Sequence, residues 1–68
     1  MYEFIATVTI TLFIRNRGTP EGSTQYGFEL RLPGQDPIIR WGHASEQLAL
    51  EAGEQAIRGH YPYAERRQ

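Results

Sequence analysis

Between Tyr2 and Ile14 apolar and polar residues alternate with a period of two, and this run constrains the fold more than any other part of the chain. Tyr2, Phe4, Ala6, Val8, Ile10, Leu12 and Ile14 share one face. Glu3, Thr7, Thr9, Thr11 and Arg15 share the other, where Ile5 and Phe13 are the exceptions. Because side chains of a strand point alternately to its two faces, the pattern predicts one long, half-buried strand over about 2–15. At roughly 3.3 Å per residue it would run about 40 Å, against about 20 Å for the helix predicted below. Apolar strand surface then exceeds what that helix covers, which predicts a second cover: another copy of the chain, as a homodimer or larger assembly, or a protein partner.

A chain of 68 residues makes a single domain, 1–68, with a thin core. It holds no cysteine, so disulfides and thiolate chemistry are excluded and a reducing compartment is expected. No uninterrupted apolar run exceeds three residues, as in Leu12-Phe13-Ile14, and no basic stretch precedes an apolar one at the N-terminus. Neither a membrane span nor a secretory signal is therefore expected, and a cytoplasmic protein is. The formal net charge of -1 argues against a dedicated, sequence-independent nucleic-acid binder, which must neutralise several phosphates.

Residues 16–25 hold Gly18, Pro20, Gly22 and Ser23 and no aliphatic or aromatic residue, which predicts a flexible loop between two antiparallel strands. Tyr26, Phe28, Leu30 and Leu32 then alternate with Gly27, Glu29 and Arg31, predicting a strand over about 26–32. The segment from Pro33 to Pro37 ends it, and a short third strand is expected at about 38–41, stopped by Gly42. From Ser45 the period becomes helical. Ser45 is the predicted N-cap and Gly59 the predicted stop of a helix over about 45–58, followed by a tail over 60–68. Leu48, Ala49, Leu50, Ala52, Gly53, Ala56 and Ile57 fall on its apolar arc, with Gln47, Glu51, Glu54, Gln55 and Arg58 opposite. The centre of the arc is small, so close approach to the sheet is expected to compensate the roughly 1 kcal/mol that Gly53 costs in a helix interior. Phe4, Val8, Tyr26, Phe28 and Trp41 are expected to supply volume from the sheet. The predicted fold class is α+β, a three-stranded antiparallel β-meander with one C-terminal helix packed on one face.

No catalytic constellation emerges. The only aspartate is Asp36, in a turn, and Glu51 and Glu54 lie on the solvated arc, where Glu54 is one turn from Arg58. His43 and His60 flank opposite ends of the helix, and Ser45 already has a capping role. The spacing from Gly18 to Ser23 lacks the lysine and the following helix of a phosphate loop. No enzyme activity, cofactor or metal is expected. Ile5, Phe13, Arg15, Trp41, Tyr61 and Tyr63 are the residues expected to anchor a protein interface. Arg15, Arg31, Arg40, Arg66 and Arg67, with stacking from Tyr61 and Tyr63, are the candidates for a nucleic-acid surface.

The order strand, strand, strand, helix, together with Leu32-Pro33-Gly34, Gly42, Ser45, Ala49-Leu50-Glu51 and Ala56-Ile57, resembles the small HicB-like antitoxin domains. The resemblance covers about half of the chain. It implies a truncated RNase H-like fold of three antiparallel strands and a helix, oligomeric assembly, and binding of a small RNase toxin. Leu12 and Ala49 stand where that fold would place catalytic acids, so no nuclease activity is implied. The first strand and its loop are longer than in that pattern, and no DNA-binding element is expected after Gly59. The function expected is that of a small non-enzymatic inhibitor binding its target stoichiometrically, of antitoxin type or of the phage-encoded type that blocks a bacterial defence complex, such as an anti-CRISPR. A small nucleic-acid-binding module is the alternative.

Overall fold

A computed structural model describes residues 1–67. Strands β1 (Tyr2–Ile5), β2 (Thr9–Gly18), β3 (Thr24–Arg31) and β4 (Ile38–His43) precede a single helix, α1 (Glu46–His60), and a two-residue strand β5 (Glu65–Arg66) follows it. All pairings are antiparallel, and the sheet order is β4-β3-β2-β1-β5. The α+β class and the single helix on one face agree with the sequence, but four strands precede the helix where three are predicted.

The predicted 40 Å strand does not exist. The chain reverses at Ala6-Thr7-Val8, where the Ala6 amide donates to the Val8 carbonyl at 3.0 Å, and β1 folds back along β2 with Tyr2 opposite Leu12 and Phe4 opposite Ile10. Partners across this hairpin are both even-numbered or both odd-numbered. The apolar set therefore stays on one face through the turn, and hairpin and continuous strand share one hydropathy pattern. Folded in two, that set packs with α1 and the segment after it: Phe4, Ile10 and Leu12 are buried in one cluster with Ile57 and Ala64, and Tyr2, Ala6, Val8 and Ile14 are partly buried against it.

The core lies between this face and α1. Phe4, Ile10, Leu12, Leu30 and Ile57 are fully enclosed, with Phe28, Leu32, Leu50 and Ala64 nearly so. Gly53 makes the closest approach: a Cβ there would stand 2.7 Å and 2.9 Å from the two methyl carbons of Leu12. Leu48, expected on the buried arc, is instead 49% exposed, because the buried stripe runs through Ala49, Leu50, Gly53 and Ile57. Ser45 caps the helix as expected, its hydroxyl accepting the Leu48 amide at 3.2 Å. Gly59 does not stop it. The helix runs one residue further, and the Tyr61 amide closes it on the Ile57 carbonyl at 2.7 Å.

The tail also has structure. Ala64 is buried, β5 pairs with β1, and Glu54 accepts from Arg58 at 3.1 Å and forms an ion pair with Arg66 at 3.5 Å, tying the helix to the last strand. The expected loop over 16–25 is mostly strand. β2 and β3 stay paired out to Gly18 and Thr24, leaving only Thr19–Ser23 as a turn. There the Gly22 amide donates to the Thr19 carbonyl at 2.9 Å, with Pro20 second and Gly22 fourth in the turn, positions those residues favour. β4 likewise passes Gly42, whose φ of +104° places it in the left-handed region where the β3–β4 register shifts, and continues to His43.

Candidate functional site

One helix on a single sheet leaves the second face of the sheet uncovered by any element among the described residues. Register determines what stands there. With Phe4, Ile10, Leu12, Phe28 and Leu30 turned to the helix, the alternate positions point away from it: Thr11, Phe13, Arg15 and Arg17 on β2, Gln25, Gly27, Glu29 and Arg31 on β3, and Ile39 and Trp41 on β4.

Phe13 lies directly opposite Glu29 on the neighbouring strand. The Arg15 guanidinium sits 5.3 Å and that of Arg31 4.8 Å from the centre of its ring, so the phenyl group has a cation on either side. Both cations are held by Glu29. Arg15 donates to Oε1 through Nη2 at 2.6 Å and Nε at 3.1 Å, and Arg31 donates to Oε2 through Nε at 2.6 Å. The Glu29 side chain is only 7% exposed, whereas those of Arg15 and Arg31 are 46% and 54% exposed. A carboxylate is thus buried beneath two arginines whose outer edges face solvent. Hydrogen bonds from Arg31 and Arg15 hold its carboxyl below the ordinary glutamate range, outweighing the opposing effect of burial.

The second part of the site depends on Gly27. Trp41 is its cross-strand partner, and a Cβ on Gly27 would stand 2.8 Å and 3.0 Å from the indole Cε3 and Cδ2 atoms. With only hydrogen there, the ring lies against the β3 backbone. Arg17, bonded through Nε to Gln25 Oε1 at 2.9 Å, places its guanidinium 4.2 Å from the centre of the indole. Trp41, a candidate both for the core and for an interface, does not fill the core beneath the helix. The pairing with Gly27 puts it on the opposite face, half-buried, next to Ile39 at 46% exposure.

Phe13, Arg15 and Trp41, all expected at a protein interface, are gathered here. Ile5 shares the face but sits opposite Thr9, four residues and about 13 Å along β2 from Phe13. Tyr61 packs against the core, with Tyr63 set edge-on to it at 6.5 Å and 60% exposed, so this pair belongs to the helix side. The five nucleic-acid candidates are dispersed. Arg15 and Arg31 share Glu29, while Arg40 is paired opposite Phe28 and donates to the Ile39 carbonyl at 2.9 Å. Arg66 lies over Tyr2 and is ion-paired with Glu54, and Arg67 lies 3.8 Å from Glu3 at the far edge. Sequence reasoning missed Arg17, Gly27, Glu29 and Ile39 as members of the site. The period-of-two signal that marks Thr9, Thr11 and Phe13 continues through Arg15 and Arg17 and would have found the first.

Among the described residues, no cavity is present and no three His, Cys, Asp or Glu side chains are grouped as a metal site requires. No helix among them is long and apolar enough to cross a membrane. No protein-family model, curated protein or solved structure matches this chain.

Proposed function

We propose that this is a small non-enzymatic protein that binds another protein stoichiometrically through the uncovered face of its sheet. The supporting observation is the grouping of Phe13, Trp41 and Ile39, all partly exposed, with three arginines on that one face. Aromatic residues and arginine dominate the energetics of protein interfaces, and here they stand on strands rather than on mobile loops. The likeness to HicB-like antitoxin domains supplies one class of target, a small RNase toxin, and a subunit of a bacterial defence complex is the other. Action in the cytoplasm is the reading a cysteine-free chain supports.

The long first strand is no ground for homo-oligomerisation, since β1 folds back along β2, and the uncovered sheet face is the surface left for a second copy. Two copies meeting through the arginine-bearing part of the face would bring like net charges together, which opposes self-association there. Affinity capture from bacterial lysate with the intact chain and with a Phe13→Ala/Trp41→Ala variant tests the reading. A protein retained by the first and lost by the second is expected. Recovery of the protein alone, or equal retention by both, refutes it.

A further inference from the structure

We infer that the part of the open face formed by Phe13, Arg15, Arg17, Glu29, Arg31 and Trp41 recognises carboxylates on an acidic protein surface, with Glu29 positioning the arginines that do so. The inference rests on the protein-binding reading above and names the chemistry of the partner.

A guanidinium has five N–H donors arranged as a planar fork. Glu29 takes two from Arg15 and one from Arg31, so each fork keeps donors for a ligand while its plane is fixed beside Phe13. Gln25 and the indole of Trp41 fix Arg17 in the same manner. Long side chains normally lose rotamer freedom when they bind. These have lost much of it on folding, so the face is pre-organised. Three arginines against one glutamate make the patch net positive although the whole chain carries -1. Charge complementarity therefore calls for an anion.

Geometry favours an acidic protein segment over a nucleic acid. Single-stranded nucleic acid gains much of its affinity by stacking bases on aromatic faces. Here guanidiniums lie over the phenyl and indole rings, and the groups presented are N–H edges, which suit carboxylates taken edge-on. Ile39, beside Glu29 and 46% exposed, offers such a segment an apolar contact.

The test titrates the isotope-labelled 68-residue chain with poly-L-glutamate and, separately, with a thymidine oligonucleotide at low salt. Resonance shifts locate the contact and the emission of Trp41, the single tryptophan, gives the affinity. Poly-L-glutamate is expected to bind, to shift signals of residues 13–17, 25–31 and 39–41, and to lose about tenfold in affinity on Arg31→Gln. Glu29→Gln is the sharper variant. It makes the patch one charge more positive, so generic attraction predicts tighter binding, while loss of positioning predicts weaker binding. Weaker binding by a folded variant supports the inference, and tighter binding overturns the role of Glu29. Tighter binding of the oligonucleotide than of poly-L-glutamate, or no binding of poly-L-glutamate by the folded wild type, overturns the acidic partner. If a captured protein is lost with Phe13→Ala/Trp41→Ala but kept with Arg15→Gln/Arg31→Gln, the protein-binding reading stands and this inference falls.

Discussion

Replacing Gly27 with alanine tests how β3 and β4 build the open face. In an unobstructed strand the change should stabilise by about 0.5–1 kcal/mol, because alanine loses less backbone freedom on folding. Here the new methyl would lie 2.8 Å and 3.0 Å from two indole carbons of Trp41, inside the roughly 3.5–4.0 Å of ordinary carbon contact, and closer still to the Arg40 carbonyl oxygen. A side chain can turn aside, but that carbonyl belongs to the strand paired with β3 and moves only with it. Overpacking costs about 1–3 kcal/mol, and each ladder hydrogen bond weakened by displacing β4 adds about 0.5–1.5 kcal/mol. Net destabilisation of about 2 kcal/mol follows, out of about 3–10 kcal/mol for a chain of this length. Thermal unfolding followed by circular dichroism should show a melting temperature lower by roughly 10 °C. The Trp41 emission should shift to the red as the ring leaves its place between Gly27 and Arg17. Adding Trp41→Ala removes the collision with the ring but not that with the carbonyl, so it should relieve only part of the penalty of the Gly27 substitution. An unchanged or raised melting temperature with unaltered emission refutes the reasoning.

Two further predictions concern the core and the buried carboxylate. Gly53→Ala should gain about 1 kcal/mol of helix propensity but lose about 1–3 kcal/mol against the two methyl carbons of the fully buried Leu12, for a net loss of about 1 kcal/mol. In a Leu12→Val background the colliding methyls are gone and the same change should become neutral or stabilising. A urea double-mutant cycle reads that coupling, and additivity refutes it. Glu29 has its carboxyl pKa lowered on folding, chiefly by Arg31 and then Arg15, so its contribution is complete above the unfolded-state value near about 4.3 and is lost as pH falls through the folded value. Urea midpoints measured through the acid range should therefore fall more steeply for the wild type than for Glu29→Gln, and equal slopes overturn the assignment.

The alternation from Tyr2 to Ile14 correctly separates core from open face, because register across the β1–β2 hairpin preserves parity. The same fact hides the hairpin. Ala6-Thr7-Val8 contains none of the glycine, proline, asparagine or aspartate residues that mark turns, so hydropathy alone cannot divide the run. Strand extension past Arg15 is concealed for the opposite reason: Asn16, Arg17, Gln25 and Thr24 are polar on both faces, and glycines and a proline nearby signal a loop. Helical period, the Ser45 cap and the close approach at Gly53 were legible because each follows from local chemistry. Trp41 was not, since Ile38-Ile39 shows no alternation and the face each β4 residue takes depends on pairing with β3. The site shares that limitation. Glu29 read along the chain is one more acid diluting a set of arginines, and only the register that sets it opposite Phe13 makes it their anchor.

A single sheet with one helix must expose its second face, and apolar side chains there invite aggregation unless something covers them. In this protein arginines do so. Arg15 and Arg31 flank Phe13, and Arg17 overlies Trp41, so the rings are shielded by groups that are themselves well hydrated at their edges. Glu29 fixes two of the three guanidiniums while cancelling only one of the three charges. A surface built this way has little to gain from a neutral apolar partner, which would strip water from the arginine edges without replacing their hydrogen bonds. A partner bringing carboxylates restores those bonds and buries the rings in the same step, and the folded protein has already ordered the side chains that meet it.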